Sequence, residues 1–214
     1  LSPPRPIIIE DSAEQTPLRF SSAVDVVRGS LWTGDYGIVA PDVGEYITRR
    51  RKPRKADAPP PGFPALLASG VGEHVATVER PDGTTVRLAL LPLRVERKSL
   101  PDLVACCTRE RERFEEVLGR MAAAFRPGRA VIVVEATYDE IEAGVYRSRT
   151  IPASVIGSMI AWHLDYGIPT LTLGTPGNVA RWTERWLTKA LERHVEAAKV
   201  EAEERAAIAE ESTA

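Results

Sequence analysis

Val95-Glu96-Arg97-Lys98-Ser99-Leu100-Pro101-Asp102 reads as a strand that passes directly into a helix. Side chains alternate across a strand, so Glu96 and Lys98 share one face and Arg97 takes the other. The Ser99 hydroxyl can cap the helix, Pro101 fits a first turn, and Asp102 suits the positive end. Helical spacing continues over Arg109–Phe125, with Phe114, Val117, Leu118 and Met121 facing a core. Ala130-Val131-Ile132-Val133-Val134-Glu135 is a buried strand. Ala153–Tyr166 follows as a helix stopped by Gly167, Ile168–Leu173 as another strand, and Asn178 can cap a last helix. Such alternation gives a central sheet covered by helices, an α/β fold.

Upstream, Pro6-Ile7-Ile8-Ile9-Glu10-Asp11 is a β-branched run ending on acids, and Val24–Leu31 is a second strand followed by the turn Thr33-Gly34-Asp35-Tyr36. His74–Glu79 and Thr84–Leu91 flank Pro81-Asp82-Gly83 as a hairpin, whose second arm reads on into Val95–Lys98. Between these lies a stretch of different character. Arg49, Arg50, Arg51, Lys52, Arg54 and Lys55 precede Pro59-Pro60-Pro61-Gly62, the composition of an exposed loop. No internal repeat is present.

The 214 residues suffice for one full domain with insertions or tails. Adjacent Cys106 and Cys107 cannot build a disulfide framework, which fits a reducing compartment. No apolar run approaches the ~20 residues of a membrane helix, and Leu1-Ser2-Pro3-Pro4-Arg5 is no signal peptide. The expected location is cytoplasmic, or nuclear in a eukaryote, with no membrane partner. Twenty-three Arg against five Lys, with abundant Ala, hint at a GC-rich bacterium or its phage. The net charge of −2 excludes a polybasic protein, yet it hides strong segregation. Residues 1–48 carry 3 bases and 7 acids, 49–99 carry 11 and 5, and 191–214 carry 3 and 7.

Asp35, Glu96 and Lys98 have the form of a D…(D/E)xK triad. Mg²⁺ takes hard oxygen ligands and keeps several waters, so one or two carboxylates suffice to hold it. A neighbouring lysine can orient water or stabilise developing charge. The plainer alternative is a surface Glu96–Lys98 pair on a half-exposed strand.

Gly34-Asp35-Tyr36 followed by Glu96-Arg97-Lys98-Ser99-Leu100-Pro101-Asp102 resembles the GDX(n)ERKX₃D signature of the XPF-type structure-selective endonucleases, of the PD-(D/E)XK superfamily. Ile9–Gln15 is similar to the opening D-x-R-E segment of that family, and Val131–Glu135 to its central strand. The resemblance spans residues 6–190 apart from 41–94. It implies a restriction-endonuclease-like domain over 1–190, a central mixed sheet flanked by helices; composition and turn signals make 41–94 an inserted basic loop and hairpin and 191–214 an acidic helical tail. It also implies a Mg²⁺- or Mn²⁺-dependent DNA endonuclease acting at branched or single/double-strand junctions in repair or recombination. Asp35 and Glu96 would ligate the metal with Asp11 nearby, Lys98 would activate water, and Glu14, Arg97 and Asp102 would complete the site.

Two departures stand out. Ala13 occupies the position of the family arginine, which would hold the scissile phosphate. A natural loss, a deliberate exchange and takeover by Arg19 all remain open. Sixty residues, 36–95, also separate two motifs that usually lie on neighbouring strands. The competing expectation is a non-catalytic DNA-binding or assembly subunit of the same fold.

Arg49, Arg50, Arg51, Lys52, Arg54 and Lys55 are the candidate phosphate contacts. Arg109, Arg111 and Arg113, alternating with Glu110 and Glu112, read as a solvated helix face. Trp182 and Trp186, four residues apart, fit either a homodimer contact or packing within the subunit. His74, His163 and His194 show no metal-ligand spacing, and Cys106 and Cys107 read as buried thiols.

Overall fold

The structure, a computed structural model, describes residues 5–40, 45–48 and 74–211. The apolar runs form strands β1 (Ile7–Asp11), β2 (Asp25–Gly29), β3 (Tyr36–Ile38), β4 (Glu45–Thr48), β5 (Val75–Glu79), β6 (Thr85–Ala89), β7 (Arg94–Ser99), β8 (Ala130–Glu135) and β9 (Thr170–Thr172). Helices α1 (Leu100–Cys106), α2 (Arg111–Ala124), α3 (Tyr138–Glu142), α4 (Pro152–Tyr166) and α5 (Pro176–Glu211) complete the described elements.

Six strands form a mixed sheet in the order β2-β1-β3-β7-β8-β9. β1 runs antiparallel to β3 and β3 antiparallel to β7, while β7, β8 and β9 are parallel. The parallel pairs need crossovers, supplied by α1 and α2 before β8 and by α3 and α4 before β9. This is an α/β fold with helices on both faces of a mixed sheet.

Alternation along β8 separates the two layers of core. Ile132 and Val134 pack with Leu103, Phe114, Leu118, Met121, Val155 and Trp162 of the helices on one face. Val131 and Val133 pack with Ile8, Tyr36 and Ile38 and with Val179, Ala180 and Leu187 of α5 on the other. Trp182 and Trp186 stack at 5.7 Å and pack against this second core of their own chain.

Strands β4, β5 and β6, which lie between β3 and β7 in the chain, form a second, antiparallel sheet in the order β4-β6-β5. It joins the first through bridges Ser30–Thr77 and Val39–Leu90 and a small core of Ile9, Leu31, Ala76 and Leu90. The hairpin read from Pro81-Asp82-Gly83 is present, with a third strand added. Its second arm does not run on into Val95–Lys98, however. β6 ends at Ala89, and Leu93 N–H turns back to Leu91 O at 2.7 Å. Pro92 between them has no N–H with which to extend the ladder.

Helix boundaries also differ from the sequence reading. α2 begins at Arg111, after a turn over Cys107–Glu110. At the start of α5 the cap is the Thr175 hydroxyl, which accepts from Asn178 N–H at 3.2 Å, while the Asn178 amide donates to Leu173 O at 2.9 Å. Pro169, lacking an N–H, precedes a β9 of only three residues. α5 continues without a break to Glu211, carrying the acidic segment as part of one 36-residue helix.

Candidate active site

Asp35 is fixed by the two strands that flank it. Gly34 turns the chain at φ +76°, and a Cβ there would sit 3.3 Å from Val95 O. Asp35 N–H then donates to Val95 O at 2.8 Å, and Asp35 O accepts from Asp11 N–H at 2.8 Å. Tyr36 pairs with Val95, so β3 and β7 are neighbours although 58 residues lie between the two in the chain, strands β4, β5 and β6 of the second sheet among them.

The Asp35 carboxylate accepts from Arg97 N–H at 2.6 Å. On the same strand Lys98 Nζ meets Glu96 Oε1 at 2.5 Å, and the ammonium lies 4.9 Å from the centre of the Phe114 ring. Glu96 is buried at 6% exposure. Burial, and then the nearby Glu96 charge, push the Asp35 carboxyl well above its usual range; Lys98 and Arg97 N–H oppose this without prevailing. Burial disfavours the Lys98 ammonium, but Glu96 and Asp35 outweigh it and hold its pKa above that of a free lysine.

The result is a buried Glu96 and a half-buried Asp35 carboxylate that both act on one ammonium, an arrangement that a further cation would relieve. Among the described residues no three His, Cys, Asp or Glu side chains form a ready-made metal cage. Two carboxylates are enough for a hard cation that retains waters, so Asp35 and Glu96 fit Mg²⁺ or Mn²⁺. Asp11 is joined to Asp35 through the backbone, Asp11 N–H donating to Asp35 O at 2.8 Å, while its carboxylate Oδ1 accepts from Leu31 N–H at 3.0 Å.

The other face of β7 holds a separate network. Arg97 donates to Glu135 Oε1 at 2.7 Å, to Glu14 Oε1 at 3.2 Å and to Thr16 O at 2.8 Å. The three charged side chains are largely buried. Arg97 and Glu14 therefore tie the turn after β1 to the end of β8. Asp102 accepts from the Ser99 hydroxyl at 2.6 Å, while that hydroxyl accepts from Asp102 N–H at 3.3 Å. Its visible work is capping α1.

Ala13 is exposed, as is Arg19. Arg28 serves this turn in a way the sequence did not disclose. It donates to Ser12 O at 3.2 Å and Glu14 O at 2.7 Å, and its Nε lies 3.2 Å from Glu10 Oε1. Glu10 faces Arg28 in the parallel register of β1 and β2, which no periodicity reveals. Glu135, matched only as the end of a strand, emerges as the main partner of Arg97. Arg49, Arg50, Arg51, Lys52, Arg54 and Lys55 lie outside the described residues. Cys106 and Cys107 are buried free thiols, and burial pushes Cys106 up to about 12, away from thiolate character. No helix among the described residues is long and apolar enough to cross a membrane.

Two solved structures resemble this fold. XPF from Aeropyrum pernix in complex with DNA superposes with a TM-score of 0.51 at 19% identity, covering 88% of this chain and 66% of that one. A second structure of XPF from Aeropyrum pernix gives a TM-score of 0.51 at 18% identity, covering 90% of this chain and 69% of that one. This chain thus spans about two thirds of the length of the XPF chains it matches. A search of curated proteins found no match. The family model of the ERCC4 domain matches residues 10–185, which include Asp11, Asp35 and the whole Glu96–Asp102 element, and the chain belongs to the ERCC4 domain family.

Proposed function

We propose that this chain is a DNA endonuclease that hydrolyses phosphodiester bonds with Mg²⁺ or Mn²⁺, at branched DNA or at junctions of single and double strands. The observation that carries the reading is the buried Glu96 with Lys98 Nζ 2.5 Å from its Oε1 and the half-buried Asp35 under the influence of both charges. Membership of the ERCC4 domain family and the fold shared with an XPF bound to DNA support it.

When bound, the cation supplies Lewis-acid polarisation of the phosphate and a more acidic water. Asp35 and Glu96 would hold it, with Asp11 at the rim. Lys98 carries a proton throughout the neutral range, so it acts as a fixed positive charge that orients the attacking water and meets charge developing on the phosphate. Arg97, with Glu14 and Glu135, is a positioning group. It braces the strand whose Arg97 N–H holds Asp35. Asp102 secures the helix that follows Lys98. Arg49, Arg50, Arg51, Lys52, Arg54 and Lys55 are proposed to neutralise backbone phosphates, a role resting on their charge.

Ala13 favours a second reading, a DNA-binding or assembly subunit that does not cut, because no phosphate-binding side chain stands at that position. A panel of duplex, nicked, flap and forked DNA incubated with Mg²⁺ or Mn²⁺, using wild type and Ala13→Arg, separates the two. Cutting of forked or flap DNA supports the nuclease. Binding without cutting by both proteins supports the scaffold.

A further inference from the structure

Four tryptophans are present, and Trp32 alone is exposed, at 43%. Trp162 is 1% exposed, while Trp182 and Trp186 are half-buried against the core. The exposure of Trp32 follows from the loop that carries it. Its neighbours Leu31 and Thr33 are buried at 9% and 6%, which turns the indole outward.

The loop is fastened on both sides. Ser30 and Thr77 exchange backbone bonds at 2.8 and 3.1 Å, and Leu31 N–H is held by the Asp11 carboxylate at 3.0 Å. Beyond the indole, Thr33 O accepts from the buried Arg94 Nε at 3.2 Å, and Asp35 N–H is bonded to β7. Trp32 therefore sits between the segment gripping Asp11 and the residue that supplies Asp35. An indole on a pinned backbone loses little further freedom when something stacks on it. Ser30-Leu31-Trp32-Thr33-Gly34 carries no charge, and with Leu31 and Thr33 buried the indole is the apolar surface this loop exposes, three residues before Asp35.

We propose that Trp32 is a stacking platform for an unpaired base next to the scissile phosphate. The inference rests on the nuclease reading above and deepens it by giving a reason for junction preference. In continuous duplex both faces of an internal base are already stacked. At a junction the first unpaired base has a free face, and base–aromatic stacking tolerates any sequence.

The test uses the full chain with DNA forks carrying 2-aminopurine at the first unpaired position, in Ca²⁺ so that binding is read without turnover. Wild type is expected to quench the 2-aminopurine. Trp32→Ala should lose the quenching and bind the fork about 5- to 150-fold more weakly, with duplex affinity unchanged. Trp32→Phe should retain most of both signals, and Trp32→Leu should not. Wild-type binding by Trp32→Leu, an equal loss on duplex and fork, or no quenching by wild type overturns the proposal and leaves the indole as an apolar contact for a protein. Failure of the nuclease reading appears separately, as absence of Mg²⁺- or Mn²⁺-dependent cutting by wild type. Stacking in Ca²⁺ is judged independently of that result.

Discussion

Lys98 and Glu96 stand two residues apart on one strand and meet at 2.5 Å on the face that also carries the Asp35 charge. The pair is buried, so the ammonium offsets negative charge where water cannot. Lys98→Met keeps the aliphatic stem over Phe114 and removes the charge. The expected loss is about 10²- to 10³-fold in cleavage rate, the usual effect of deleting one preorganised charge-stabilising group. Lys98→Arg is not expected to rescue, because a planar guanidinium cannot replace a compact ammonium in this space. Single-turnover cleavage of forked DNA checks both.

Asp35 makes a prediction about stability. Its folded-state pKa is raised by burial and by Glu96, so the native protein binds this proton more tightly than the unfolded chain. Stability from this group is greatest below about pH 4, near the unfolded value, and is lost as pH rises through the folded value. Asp35→Asn removes the loss while keeping an acceptor for Arg97 N–H. Without metal, the variant should gain on wild type in Tm as pH rises from acid to neutral. Adding Mg²⁺ should raise the Tm of wild type and not that of the variant, with about 2.7 kcal/mol expected at 100-fold excess over Kd. Thermal melts across pH, with and without Mg²⁺, provide the measurement.

Arg97 bridges Glu14 and Glu135 with only 9% of its side chain exposed. Removing one partner of a buried network leaves carboxylates without compensation, so Arg97→Met should cost about 3 kcal/mol. Glu135→Gln keeps the hydrogen bond and should cost less. Urea unfolding at constant pH compares them. Cleavage by Arg97→Met should fall through stability and positioning, with metal affinity reduced less than in Asp35→Asn.

Gly37 lies against the buried Arg94, and a Cβ there would come within 2.6 Å of Arg94 Nη1. The guanidinium is held by Leu93 O at 2.8 Å and Thr33 O at 3.2 Å, so it cannot swing away cheaply. Gly37→Ala should destabilise by about 1–3 kcal/mol through overpacking. A shift of the urea midpoint at unchanged slope would show it.

The parts of this structure legible in sequence are the local ones. Alternation put Glu96 and Lys98 on one face and Arg97 on the other, and the Ser99 cap required only three residues of context. The pairing of β3 with β7 spans sixty residues and follows from no periodicity; in the sequence that separation reads as a departure from the family pattern, and only the structure brings the two motifs together. The Glu10–Arg28 register was hidden because strand pairing is set by the whole sheet. α3 has only five residues and little helical pattern, although Thr137 and Glu140 form a capping box. Thr175 and Asn178 both carry a capping oxygen, and only geometry assigns the cap to Thr175.

The central claim is that Asp35 and Glu96 form a metal-dependent cutting centre with Lys98. Its most direct test is cleavage of forked DNA by wild type, Asp35→Asn and Glu96→Gln in Mg²⁺, Mn²⁺ and EDTA, with folding of each protein confirmed by its melt. The expected result is cutting by wild type in a divalent metal alone, and none by either folded variant, while both still bind the fork. Undiminished cutting by both variants, or cutting by wild type in EDTA, would contradict the account.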